Sequence, residues 1–131
     1  MAAAPRAATG ARDGGSDTVR YEMVELGPTV NGFILSGRLD SASVGRVELP
    51  FTAAMADGTR HAALDLRQLD FVSSLGIRLL LSAARAVAKR GGRVVLFGVQ
   101  PTVAEVLAGL SLDSVLPMVA TQEEALARLA A

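Results

Sequence analysis

Hydrophobic and polar positions along this chain switch repeatedly between a two-residue and a near-four-residue period. Val19-Arg-Tyr-Glu-Met-Val-Glu-Leu26 alternates loosely, with Val19, Tyr21 and Met23 on one side, which predicts a strand. Gly27-Pro28 turns the chain, and Val30 to Ser36 predicts a second strand around Phe33-Ile34-Leu35. So short a connection favours an antiparallel pair. Gly37-Arg38-Leu39-Asp40 ends that strand. From Ser41 to Met55 the spacing becomes helical, with Val44, Val47, Phe51 and Met55 sharing a face. Pro50 lies inside this run. It lacks an N–H and crowds the preceding turn, so the spacing predicts a kink or a helix restarting near Leu49. Asp57-Gly58 is the stop.

Ala62-Ala-Leu-Asp-Leu66 predicts a short, apolar central strand, and from Leu64 a buried-looking strand runs into Phe71-Val72 before Ser73-Ser74. The strongest periodicity follows, over about 74–90. Ile77, Leu80, Leu81, Ala84, Val87 and Ala88 form one helix face, and Arg78, Ser82, Arg85 and Lys89 another. Gly91-Gly92 stops that helix, and Val94-Val-Leu-Phe97 predicts a strand buried on both faces. Pro101 suits the first turn of a helix carrying Val103, Val106, Leu107 and Leu110. Val115 to Val119 can be only an edge strand, because Pro117 cannot donate to a ladder. Thr121-Gln-Glu-Glu124 is a capping-box pattern before a closing helix with Ala125, Leu126 and Leu129. The expected fold is α/β: a small mixed sheet of four to five strands, about four helices packed on it, and right-handed crossovers.

Composition narrows the chemistry. A chain of 131 residues fits one folded unit, expected over 18–131 after a flexible leader, 1–17, that is rich in Ala and Gly and has no apolar signal-peptide core. Lys+Arg and Asp+Glu balance at 13 each, so no net charge argues for nucleic acid or a membrane surface. Direct nucleic-acid binding is also disfavoured because Tyr21 is the only tyrosine and tryptophan is absent. Without cysteine and with His61 alone, thiolate and histidine metal sites are not expected. No run approaches the ~20 apolar residues that span a bilayer. A cytoplasmic protein without cofactor or metal is the expectation.

The serine pair carries the most chemistry. A strand that enters a helix through Ser73-Ser74 places hydroxyls at a helix N-terminus, where free N–H groups and the helix dipole favour an anion. That suits a phosphorylated serine, and it equally suits an ordinary N-cap. Spacing alone leaves both open. A nucleophile elbow is disfavoured, since Ser-Ser-Leu-Gly lacks the glycine two residues before the serine and His61 precedes a strand. Gly91-Gly92 is not followed by Gly-Lys-Ser/Thr, so it is no phosphate loop. Asp40 and Asp70 are expected in turns, and Asp65 on the exposed side of a strand end. Arg78, Arg85 and Lys89 are expected as solvated surface, with a docking stripe for an acidic partner as the sharper alternative.

At Gly37-Arg-Leu-Asp40, Leu64-Asp-Leu66, Phe71-Val-Ser-Ser-Leu-Gly-Ile-Arg78 and Gly91-Gly-Arg-Val-Val-Leu96, the chain resembles the STAS domain of anti-sigma factor antagonists, from about Val19 to Leu129. The resemblance implies the STAS fold and a bacterial partner-switching module that is not an enzyme. The unphosphorylated antagonist would bind an anti-sigma factor that is also a serine kinase, of the histidine-kinase-like ATPase type. Phosphorylation would release it, and a PP2C-type phosphatase would restore it. The family pattern falls on Phe71, Val72, Ser73, Ser74, Leu75, Gly76 and Ile77, which makes Ser74 the phosphoacceptor. The implied partner surface comprises Asp40, Ser73, Ser74, Leu75, Gly76 and Arg78. Two positions depart from the pattern: Ser73 stands where Asp is common, and Leu75 where a small residue is usual. Leu75 motivates an alternative, a STAS subunit of a membrane lipid-transport complex with a constitutive interface. A small-molecule or nucleotide sensor is a third reading.

Overall fold

The computed structural model describes residues 8–9, 19–57 and 61–130. Its elements run β1 (Ala8–Thr9), β2 (Arg20–Glu25), β3 (Val30–Leu39), α1 (Ser41–Met55), β4 (His61–Val72), α2 (Ser74–Lys89), β5 (Val94–Phe97), α3 (Pro101–Gly109), β6 (Met118–Val119) and α4 (Gln122–Ala130). The strands lie side by side in chain order. β2 and β3 pair antiparallel across the Gly27-Pro28 turn, while β3–β4, β4–β5 and β5–β6 are parallel. The mixed sheet with helices that the sequence predicts is therefore the fold. Ala8 and Thr9 pair with Met23 and Glu22, so part of the segment set aside as a leader extends the sheet edge. The rest of that segment, and Gly58 of the Asp57-Gly58 stop, lie outside the described residues.

Sequential strand order with right-handed crossovers puts successive connecting helices on one face of a sheet. The core follows that logic. Val44, Val47, Phe51 and Met55 of α1, Ile77, Leu80 and Val87 of α2, and Val103 and Leu107 of α3 join Phe33, Leu35, Leu64 and Leu96 in one cluster. Phe51 sits edge-on to Tyr21 and Phe33, with ring centroids 5.4 and 5.8 Å away. On the opposite face α4 covers Val30, Ala63, Val95 and Phe97 with Ala125 and Leu129. β5 is buried at all four residues, as its apolar run predicts. Among the described residues no helix is long and apolar enough to cross a membrane.

Three expectations need correction. A helix restart near Leu49 does not occur, because α1 is one helix from Ser41 through Met55 with Pro50 inside it. Both Pro50 and Arg46 are exposed, so the Arg46 carbonyl that loses its partner faces water, which replaces the missing bond. Asp65 is not on an exposed strand end: it is 4% exposed. Asp70 is not in a turn but in β4, where its Oδ1 accepts from Gln100 Nε2 at 3.3 Å.

β4 joins Ala62–Leu66 and the stretch leading to Phe71-Val72 into one strand, with two register shifts against β3. Ile34 pairs with Asp65 but Ser36 with Gln68, and Gly37 pairs with Leu69 but Arg38 with Phe71. Each shift adds a residue to β4 opposite β3. Its core-facing side chains are consequently Leu64, Leu66, Leu69 and Val72, spaced by two and then by three. Asp65 stabilises the first shift: its Oδ1 accepts the Arg67 backbone N–H at 3.0 Å and Arg67 Nε at 3.0 Å, and its Oδ2 accepts Arg67 Nη2 at 2.7 Å.

Candidate functional site

The bulges bring Val72 level with Leu39, so adjacent parallel strands end together and release two helices side by side. The carboxyl ends of parallel strands are where open α/β sheets place their binding surfaces. Asp40 follows Leu39 and caps α1; Ser73 follows Val72 and caps α2. The Ser73 N–H donates to the Leu39 carbonyl at 2.9 Å, which ties the two exits together.

Asp40 takes part in a reciprocal capping box with Ser43. The Ser43 N–H donates to Asp40 Oδ1 at 2.9 Å, and the Asp40 N–H donates to Ser43 Oγ at 3.0 Å. The Ser43 hydroxyl is buried, 2.8 Å from the Arg38 carbonyl. The backbone hydrogen bond from Ser43, then its hydroxyl and the nearby Arg38 charge, hold the Asp40 carboxyl below its ordinary range. Asp40 is thus an ionised cap beside the serines rather than a turn residue.

The two serines divide their roles. Ser73 Oγ accepts the Gly76 N–H at 3.2 Å, so Ser73 is the N-cap. Ser74 is the first residue of α2, exposed, and its hydroxyl has no partner among the described residues. Leu75 is 40% exposed beside it. Arg78, one turn along α2, is exposed and makes no ion pair among the described residues. Gly76, expected on the partner surface, is buried. A Cβ there would lie 2.7 Å from the Leu39 carbonyl oxygen, 2.8 Å from Leu39 Cγ and 2.9 Å from a Val72 methyl. It shapes the surface from beneath by letting the first turn of α2 rest on the end of β3.

Two neighbours escape a reading of the sequence. Phe71 is 37% exposed, and the Arg38 guanidinium lies 4.2 Å above its ring. They meet only because Arg38 pairs with Phe71 after the second bulge. No local pattern announces that Phe71 faces outward. The ends of β3 and β4 and the first turn of α2 therefore carry exposed Phe71 and Leu75, a Ser74 hydroxyl without a partner among the described residues, one carboxylate and two guanidinium groups.

Little else offers chemistry. His61 Nδ1 accepts the Arg93 N–H at 3.0 Å, a contact at the start of β4 far along the strand from the serines. Among the described residues no group of three His, Cys, Asp or Glu could hold a metal ion.

Comparison with known proteins agrees with this architecture. Residues 25–125 match the family model described as the STAS domain. BtrV of Bordetella bronchiseptica, which carries the name of an anti-sigma factor antagonist, is 33% identical over 93 residues, covering 71% of this chain and 80% of that protein. The anti-sigma factor antagonist SpoIIAA in its unphosphorylated form superposes with a TM-score of 0.70 at 24% identity, over 84% of this chain and 96% of that one. An anti-sigma factor antagonist from Mycobacterium paratuberculosis gives 0.77 at 21% identity, over 89% and 98%. At such identities the two structures speak for the fold. With that fold, and with the family match spanning β3 to α4, the chain belongs to the STAS domain family.

Proposed function

We propose that this protein is an anti-sigma factor antagonist that works by partner switching, with Ser74 as its phosphorylation site. One observation carries the reading: Ser73 uses its hydroxyl to cap α2, while the Ser74 hydroxyl stands exposed beside Leu75 and, among the described residues, without a partner. The name of the Bordetella relative supports the role, and the likeness to SpoIIAA, known in unphosphorylated and phosphorylated forms, supports control by phosphorylation. The protein has no catalytic role in this scheme and acts in the cytoplasm. Its partners are an anti-sigma factor with serine kinase activity, of the histidine-kinase-like ATPase type, and a PP2C-type phosphatase.

The physical basis is simple. A phosphoserine adds about −1.5 to −2 charge and three acceptor oxygens. At the N-terminus of α2 that charge suits the helix, so the fold survives. In the contact it meets the Asp40 carboxylate and must be desolvated against Leu75 and Phe71, so the complex is lost.

Incubation with the ATPase-type anti-sigma factor and ATP, followed by phosphosite mapping, tests the proposal. Label at Ser74, and binding that is retained in Ser74→Ala but lost in Ser74→Asp, is the expected result. Label elsewhere, or equal binding by both variants, refutes it. Co-purification with a transport ATPase or permease that ignores the state of Ser74 would instead favour a constitutive lipid-transport subunit docked through Leu75.

A further inference from the structure

We infer that Arg78 is the intramolecular partner of a phosphate on Ser74, so that phosphorylation withdraws a guanidinium from the contact surface as well as adding charge to it. This rests on the Ser74 reading above. Ser74 and Arg78 stand at i and i+4 on α2, on one face of the helix with Cβ atoms about 5–6 Å apart. Helical side chains lean toward the N-terminus, so Arg78 reaches over the turn that starts with Ser74. An acid N-terminal to a base at this spacing is the favoured order.

The surroundings leave that pairing unopposed. α2 contains no acidic residue at all, and Arg78 is exposed without an ion pair among the described residues. The charged residues of the flanking segments are already engaged. Asp40 is tied to Ser43, Arg38 stacks on Phe71, and Asp70 accepts from Gln100. Among the described residues Arg78 is thus the cation beside Ser74 that neither an aromatic ring nor a carboxylate already holds. Asp40 repels a phosphate from the α1 side, which directs it back along α2 toward Arg78. The same guanidinium, when Ser74 is unmodified, is available to an acidic group on the partner.

The test uses the full chain with phosphoserine installed at position 74 during translation and follows the phosphate by phosphorus NMR through a pH titration. Arg78→Gln should raise the phosphate's titration midpoint by about 0.3 pH unit, the scale of a helical ion pair. Arg78→Lys should restore most of the shift. Arg85→Gln, three turns beyond Ser74 and also exposed, should move it by less than half as much. An Arg78→Gln shift no larger than that of Arg85→Gln overturns the inference, since a general field effect would then suffice. No kinase is needed, so failed labelling by a kinase would count against the Ser74 proposal alone.

Discussion

Alanine at Gly76 and at Gly45 is the same chemical change on the same face of the sheet, and the structure predicts opposite signs. In a helix interior alanine is favoured over glycine by up to about 1 kcal/mol. At Gly45, in α1, nothing lies within 4 Å of the added Cβ, so that preference should appear almost undiluted as about 0.5–1 kcal/mol of stabilisation. At Gly76 the Cβ would lie 2.7 Å from the Leu39 carbonyl oxygen, which is backbone and cannot rotate away. Overpacking of this kind costs about 1–3 kcal/mol, and the propensity gain is smaller in a first turn than mid-helix. The net expectation is a loss of about 1–2 kcal/mol, or a Tm lower by roughly 3–7 °C for a domain of this size. Urea unfolding followed by circular dichroism should show the midpoint falling for Gly76→Ala and rising for Gly45→Ala, with unchanged slope m. A rise for Gly76→Ala would mean that α2 does not need its close seat on β3.

Four further outcomes follow from individual contacts. Ser73→Ala should cost about 1 kcal/mol through loss of the α2 cap, whereas Ser74→Ala should leave thermal stability within about 0.5 kcal/mol of the parent, since its exposed hydroxyl has no partner among the described residues. Asp40 has a lowered carboxyl pKa in the folded state, so its contribution is present above the ordinary Asp value of 3.8 and is lost as pH falls toward the folded-state value. Denaturant melts of Asp40→Asn should therefore show a flatter decline below about pH 4 than the parent. Arg67→Met strands the buried Asp65 carboxylate and should cost about 2 kcal/mol, less than a fully buried pair because Arg67 is 62% exposed; Asp65→Asn in that background should recover most of it in chemical denaturation. Pro50→Ala returns an N–H to the Arg46 carbonyl on the exposed side of α1 and should raise stability by about 1–3 kcal/mol in calorimetry.

Much of this fold is legible in residue order because the signals involved are local. The apolar spacing of Ile77, Leu80, Ala84 and Val87 predicts α2, and Gly91-Gly92 ends it in the structure with Gly91 at φ +85° and both N–H groups turned back onto Ala88 and Val87. Pro101 opens α3 as expected, and Thr121 Oγ1 caps α4 by accepting the Glu124 N–H. Each of these depends on contacts within a few residues, so the sequence alone suffices. The resemblance around Phe71 to Arg78 likewise locates the serine pair and names Ser74.

Tertiary structure decides what depends on pairing between distant strands. Two bulges change the inward spacing of β4 from two residues to three, so which of its side chains face the core beyond Leu66 does not follow from alternation. Those bulges turn Phe71 outward under Arg38, bury Asp65 beneath an exposed Arg67, and bring Val72 level with Leu39. That last match puts Asp40 beside the serines and makes Gly76 a packing requirement rather than part of the exposed patch. It also separates the serine that caps α2 from the serine left free. Residue order by itself determines the helices, their ends and a hydroxyl at this junction. Which hydroxyl is free, and what surrounds it, is set by register between β3 and β4, because register is a property of two strands and is written in neither one alone.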